Sequence, residues 1–156
     1  MAQRLISACL LGQNCRYDGA SKPAAAVIAQ VAAWRAAGDE VAAVCPEELG
    51  GLGTPRPAAE LRGGDGSAVL SGAARVERVT DGGDVTAAFV SGATAAAAQA
   101  PQAVSAVLKA NSPSCGCGET AIDGQKRPGD GVFAALLRQR GVAVQTDEDL
   151  TAGAGR

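Results

Sequence analysis

The sequence predicts an α/β fold, an open, doubly wound and mainly parallel sheet with a small antiparallel flap after the second strand. Two observations carry this. Short, continuous apolar runs of strand length recur along the chain, as expected of strands buried on both faces. Between them lie longer segments with apolar residues at helical spacing, so the order reads β-α-β-(flap)-α-β-α-β, the alternation that builds parallel sheets. The 156 residues suit one domain, 1–156, with residues 60–79 forming the hairpin or flap.

Each element has a local reason. Leu5 to Leu11 reads as a short buried strand closed by Gly12. Pro23 suits the first turn of a helix carrying Val27, Ile28, Val31 and Trp34 and ending before Gly38. Val41 to Cys45 is a second buried strand, and the Gly- and Pro-rich stretch Pro46 to Ala59 is an irregular loop. Glu60 to Val79 alternates polar and apolar residues around Gly63-Gly64-Asp65-Gly66, which reads as a hairpin tip. Asp84 is placed to cap a helix running towards Ala100 and stopped by Pro101. Ala103 to Leu108 is a third strand, Lys109 to Gly118 a polar turn, Asp130 the cap of a helix up to Gly141, and Val142 to Val144 a fourth strand.

Composition excludes several classes of function. The chain has no histidine, which removes Ser-His-Asp triads, Cys-His dyads and His-containing zinc sites. A net charge of −2 and four aromatics, Tyr17, Trp34, Phe89 and Phe133, provide neither a basic field nor a series of stacking platforms, so polymeric nucleic acid is not an expected partner. No run of residues approaches a membrane span, and the apolar run before Cys9 is too short for a secretory leader, so a reducing cytoplasm is the expected location. Five cysteines there are more naturally buried fillers, metal ligands or catalytic groups than disulfides.

Doubly wound sheets bind ligands beyond the carboxyl ends of their strands, where the topology reverses. Cys9 falls near the end of the first strand, Cys45 ends the second and Cys115 lies in the turn leaving the third, so the predicted fold brings three thiols to one edge. An iron-sulfur cluster, an all-cysteine zinc site with Cys15 or Cys117 as fourth ligand, redox thiols and simple packing all remain open at this point. Glu47 follows Cys45 across Pro46 and, without histidine, is the natural general acid-base group. Ser112, Ser114 and the turn to Gly116 offer hydroxyls and backbone N–H groups, although turn capping would explain the serines equally well. Lys109 and Arg16 are placed to offset negative charge or orient an electron-rich ligand. Gly50-Gly51-Leu52-Gly53 lacks the lysine and helix of a phosphate loop, and a nucleotide site is rejected there.

Ser7-Ala8-Cys9-Leu10-Leu11-Gly12, Cys15-Arg16-Tyr17-Asp18-Gly19, Cys45-Pro46-Glu47 with Pro55-Arg56, and Ser112-Pro113-Ser114-Cys115-Gly116 follow one another in this order. Together they resemble the bacterial thiouracil desulfidase family over nearly the whole chain. The resemblance implies a [4Fe-4S] cluster held by Cys9, Cys45 and Cys115, with a fourth iron open to the sulfur of a small thiolated pyrimidine base. It further implies proton transfer by Glu47 and contact of Ser112 with substrate or water; Lys109, Ser114 and Arg16 are expected on the substrate side from their own chemistry and position. Cys15 also matches a family position, as ligand, sulfur relay or packed thiol, whereas Cys117 lies outside the pattern. The competing reading is a non-enzymatic iron-sulfur or zinc-binding module, which would tolerate loss of Glu47.

Overall fold

The computed structural model describes residues 1–154. Its first sheet contains β1 (Gln3–Ser7), β2 (Glu40–Val44), β5 (Ala103–Leu108) and β8 (Ala143–Thr146) in the order β2-β1-β5-β8, all parallel. The helices α1 (Ala25–Ala36) and α6 (Asp147–Ala154) lie on one face, and α4 (Thr86–Ala98) and α5 (Val132–Gln139) on the other. Double coverage explains the continuous apolar runs. Leu5 packs with Phe89 and Phe133 while its neighbour Ile6 packs with Val27 and Val31, and both are fully buried. The direction of winding reverses between β1 and β5, so a crevice forms beyond the ends of those two strands. Among the described residues no helix is long and apolar enough to cross a membrane.

The predicted flap is part of something larger. Residues 59–78 do hold an antiparallel pair, β3 (Ala59–Arg62) and β4 (Arg75–Arg78), but a helix, α3 (Gly66–Ser71), stands where the sequence suggests a tight turn. Asp65 is the reason, because its Oδ1 accepts the Ala68 N–H at 3.0 Å and so caps a helix. The pair belongs to a second sheet, β4-β3-β6-β7, completed by the hairpin β6 (Glu119–Ile122) and β7 (Gln125–Pro128). β6 buries Thr120 and Ile122, but β7 lacks a hydrophobic signal, since every one of its residues is exposed.

Other boundaries move for equally local reasons. β1 stops at Ser7, and Ala8–Leu11 forms a 3-10 turn closed by Gly12, whose left-handed backbone (φ 98°) suits a residue without Cβ. Ala8, Cys9 and Leu10 are buried in that turn, so hydrophobicity alone could not mark the strand's end. The stretch from Pro46 opens as a short helix, α2 (Pro46–Leu49), with the proline in its first turn. Asp84 accepts the Thr86 N–H at 2.8 Å beside the start of α4, but Val85 occupies the cap position. Asp130 does not cap α5. Its carboxylate accepts the Gly118 N–H and pairs with Arg138, both at 2.8 Å, and Gly131 takes the cap position.

α2 is pressed against α4 through two glycines. A Cβ on Gly92 would lie 2.0 Å from the Pro46 carbonyl oxygen, and one on Gly50 would lie 2.2 Å from that of Ala88. This close approach fixes the short helix that follows Cys45.

Candidate active site

The crevice beyond β1 and β5 holds a cavity of about 310 Å³. Cys9, Cys15, Cys45 and Cys115 all line it, together with Glu47, Ser112, Lys109 and Arg16. The 3-10 turn after β1 presents Cys9, and the loop that follows presents Cys15. Cys45 is the cap residue of α2, and Cys115 sits in the turn after β5. All five cysteines are free. Cys117 does not reach the cavity, because its sulfur faces Arg138 Nη2 at 2.6 Å and the Val144 carbonyl at 3.7 Å.

The thiols crowd one another. Cys45 Sγ donates to the Cys15 carbonyl oxygen at 3.5 Å. A hydrogen bond from Cys45 favours the Cys15 thiolate, but the bond to Cys9 and burial outweigh it and push the Cys15 thiol up to about 11. The bond to Cys15 and burial raise Cys45 well above the ordinary thiol range. Burial, against an opposing bond from Ser7, pushes Cys115 up to about 12. The negative charges of Glu47, Cys45 and Cys15 add to that rise. Three buried thiols and the half-buried Cys45, soft donors whose anionic forms disfavour one another, suit a soft, positively charged centre, which would offset the repulsion. Sγ of Cys15, Sγ of Cys45 and a carboxylate oxygen of Glu48 lie within 4.8 Å of one another, close enough for a single ion. A polynuclear cluster would draw on a wider set of thiols.

Glu47 is held rigidly. Its Oε1 accepts from Arg56 Nε at 3.2 Å, and its Oε2 accepts from the Ser114 hydroxyl at 3.2 Å. Ser114 is 1% exposed and stands behind Glu47 rather than on the cavity wall. The Ser112 hydroxyl accepts the N–H groups of Ser114 and Cys115, both at 3.2 Å, which is the turn-capping role and leaves its own proton free. Lys109 donates through Nζ to the Ala110 carbonyl oxygen at 2.9 Å, while its backbone N–H donates to Ser7 Oγ at 2.9 Å. Arg16 lies with its guanidinium carbon 5.9 Å from the Tyr17 ring centroid.

Arg56 is the organising residue that residue type and spacing did not single out. Beyond Glu47, it donates through Nη2 to the Cys15 carbonyl at 2.9 Å and through Nη1 to the Gly53 carbonyl at 2.9 Å. Its backbone N–H donates to the Tyr17 carbonyl at 2.7 Å. The one available signal was its place in the Pro55-Arg56 motif.

A parallel α/β protein with a thiol-lined small-molecule cavity at its switch point is the class that fold and site define. More specifically, the chain belongs to the 2-thiouracil desulfurase family, which it matches over residues 5–149. It is 43% identical over 153 residues to the Bacillus subtilis (strain 168) uncharacterized protein YbbK, covering 94% of this chain and 96% of that one. A solved structure described as a [4Fe-4S]-dependent thiouracil desulfidase, TudS, superposes with a TM-score of 0.77 at 38% identity and 99% coverage of both chains.

Proposed function

We propose that this protein removes sulfur from thiolated pyrimidine bases, exchanging the thiocarbonyl sulfur for the oxygen of water with release of sulfide, and that Cys9, Cys45 and Cys115 hold a [4Fe-4S] cluster for the purpose. The observation that carries the reading is the meeting of these thiols with Glu47 in one cavity, and the likeness to a desulfidase described as [4Fe-4S]-dependent supports it. When bound by three thiolates, such a cluster supplies an iron open to sulfur, a thiophilic Lewis acid that polarises the C=S carbon.

The protein's own groups then divide the work. Glu47, fixed between Arg56 and Ser114, takes a proton from the attacking water and returns it to the departing sulfur. Ser112, both of whose accepted bonds come from the turn, donates its free proton to substrate or water. Lys109 and Arg16 place positive charge beside an electron-rich ligand. Ser114 contributes by holding Glu47. Hydrolysis of C=S to C=O needs no net electron transfer.

The test is an anaerobic reconstitution with iron and acid-labile sulfide assayed per chain, followed by sulfide release from 2-thiouracil or 4-thiouracil. Cys9→Ala, Cys45→Ala and Cys115→Ala should each abolish the broad visible absorption of thiolate-to-iron charge transfer, and Cys117→Ala should keep it. Stoichiometric zinc without iron overturns the cluster. A loaded wild-type protein that releases no sulfide from either base overturns the activity in favour of a non-enzymatic metal-binding module.

A further inference from the structure

The chain has four aromatic residues, and three are committed elsewhere. Phe89 and Phe133 are 1% and 0% exposed in the core, and Trp34 lies under the Arg4 guanidinium at 4.7 Å. Tyr17 alone lines the cavity, and the residue is 44% exposed. A large apolar ring left open to solvent beside a small-molecule cavity invites a flat partner.

The loop carrying Tyr17 is tied down by its backbone rather than by the ring. The Tyr17 carbonyl accepts the Arg56 N–H at 2.7 Å, and the Cys15 carbonyl accepts from Arg56 Nη2 at 2.9 Å. Within the loop, Arg16 N–H donates to the Ala20 carbonyl at 3.1 Å, Gly19 N–H to the Arg16 carbonyl at 2.9 Å, and Ala20 N–H to Asp18 Oδ1 at 3.0 Å. The ring is thus presented from a stiff base while remaining free to pack against something else. The Arg16 guanidinium lies over the ring at 5.9 Å from its centroid, and with that cation in place the residue is still 44% exposed.

The geometry points to Tyr17 as the platform on which the pyrimidine ring stacks, a specificity-determining residue of the cavity. This rests on the desulfidase reading above and adds to it how the substrate's heterocycle is held. A single platform serves one free base. A polymer would need a succession of them along a basic groove, which the composition does not provide. Stacking reads flatness and π-character, so the same residue would select a thiolated heterocycle over an aliphatic thioamide that offers the same C=S group.

The experiment compares Tyr17→Phe, Tyr17→Leu and Tyr17→Ala in anaerobically reconstituted protein with matched iron content. Two quantities are read, steady-state sulfide release from 2-thiouracil and the equilibrium binding of the product-like base uracil by calorimetry. Tyr17→Ala should raise KM and weaken uracil binding by about 10- to 100-fold, the span base-aromatic stacking gives by alanine substitution, with kcat changed much less. Tyr17→Phe should stay within about threefold of wild type, and Tyr17→Leu, which keeps apolar bulk without a π-face, should behave like Tyr17→Ala. Wild-type turnover together with unchanged KM and uracil binding in Tyr17→Ala overturns the proposal. So does a Tyr17→Phe defect as large as that of Tyr17→Ala, which would assign the effect to the hydroxyl. A wild type without turnover would overturn the underlying desulfidase reading, and this proposal with it.

Discussion

The guanidinium of Arg56 and the carboxylate of Glu47 form an ion pair, Nε to Oε1 at 3.2 Å, with side chains only 5% and 14% exposed. The same guanidinium also binds the carbonyl of Cys15, so one side chain sets the separation between the acid and the loop of the second thiol. Two charges taken from water in this way are stable only while both remain and their other donors and acceptors are satisfied. Here they are, through Ser114 on the carboxylate and Gly53 and Thr54 on the guanidinium.

Arg56→Ala would leave Glu47 charged and half-partnered and free the Cys15 loop. Removing one member of a pair this buried costs about 3 kcal/mol, which for a chain of this size lowers the melting temperature by about 6–12 °C. Arg56→Lys keeps the charge but not the fork that spans Glu47 and Cys15, and should fall between the two. Thermal unfolding followed by circular dichroism decides it, and an Arg56→Ala melt within about 2 °C of wild type would show that the pair contributes little.

Glu47→Gln keeps the size of the side chain and an oxygen for Arg56 but cannot carry a proton through a catalytic cycle. Turnover should fall by about 10²–10⁴-fold with iron content unchanged. Ser112→Ala should lose less, with part of its defect arising from the two turn N–H groups it leaves without an acceptor. Wild-type sulfide release from fully loaded Glu47→Gln would remove Glu47 from the proton path.

The parts of the fold that could be read from the residues are those where burial and conformation agree. Leu5-Ile6 and Ala106-Val107-Leu108 are buried on both faces and therefore look like strands of a parallel sheet. Where a buried segment turns, as Ala8 to Leu10 does, hydrophobicity is blind to the change; where a strand is exposed, as Gln125 to Pro128 is, there is nothing for it to detect. The grouping of Cys9, Cys45 and Cys115 in one cavity was legible because Cys9 and Cys45 closely follow β1 and β2 and Cys115 lies in the turn that leaves β5, so all three come to the same edge of the sheet. Arg56 was not, because its role depends on a loop folding back so that one guanidinium meets Glu47, Gly53 and Cys15. Ser114 was legible as a polar residue of the turn, but which side of Glu47 it occupies depends on how Gly131 lets α5 close on that turn. A Cβ there would lie 2.6 Å from the carbonyl oxygens of Pro113 and Ser114.

Asp39 gives the fold a measurable acid dependence at the sheet edge. The Ala2 N–H, at 3.0 Å, and the Arg4 guanidinium, at 3.1 and 3.2 Å, hold its carboxyl below the usual carboxylate range. A depressed native pKa means that the unfolded chain takes up the proton first, so the stabilisation is complete above about pH 4–5 and fades as pH falls through the native value. Asp39→Asn removes this contribution at neutral pH. The urea midpoints of wild type and Asp39→Asn should therefore differ at about pH 6, the gap should narrow as pH falls below about 4, and added salt should narrow it at the higher pH. A gap that is constant across this range would mean that hydrogen bonding, not charge, is what Asp39 contributes.

The contact between α2 and α4 links packing to chemistry most directly. Gly92 is unfavourable in a helix interior by about 1 kcal/mol relative to alanine, so on helix propensity alone Gly92→Ala should stabilise the protein. The added Cβ, however, would meet the Pro46 carbonyl oxygen at 2.0 Å, and that obstacle is backbone rather than a side chain that can swing aside. α2 would have to move, at a cost of about 1–3 kcal/mol, and α2 begins immediately after Cys45 and contains Glu47. Clash should outweigh propensity, giving a net lower melting temperature, and the displacement should reduce iron retained per chain and sulfide released per iron. Thr94→Ala, on the exposed side of the same helix, gains propensity without a clash and serves as the control. Melting curves and iron assays on the two variants settle the balance, and Gly92→Ala protein as stable and as iron-loaded as Thr94→Ala would show that α2 is free to shift without disturbing the site.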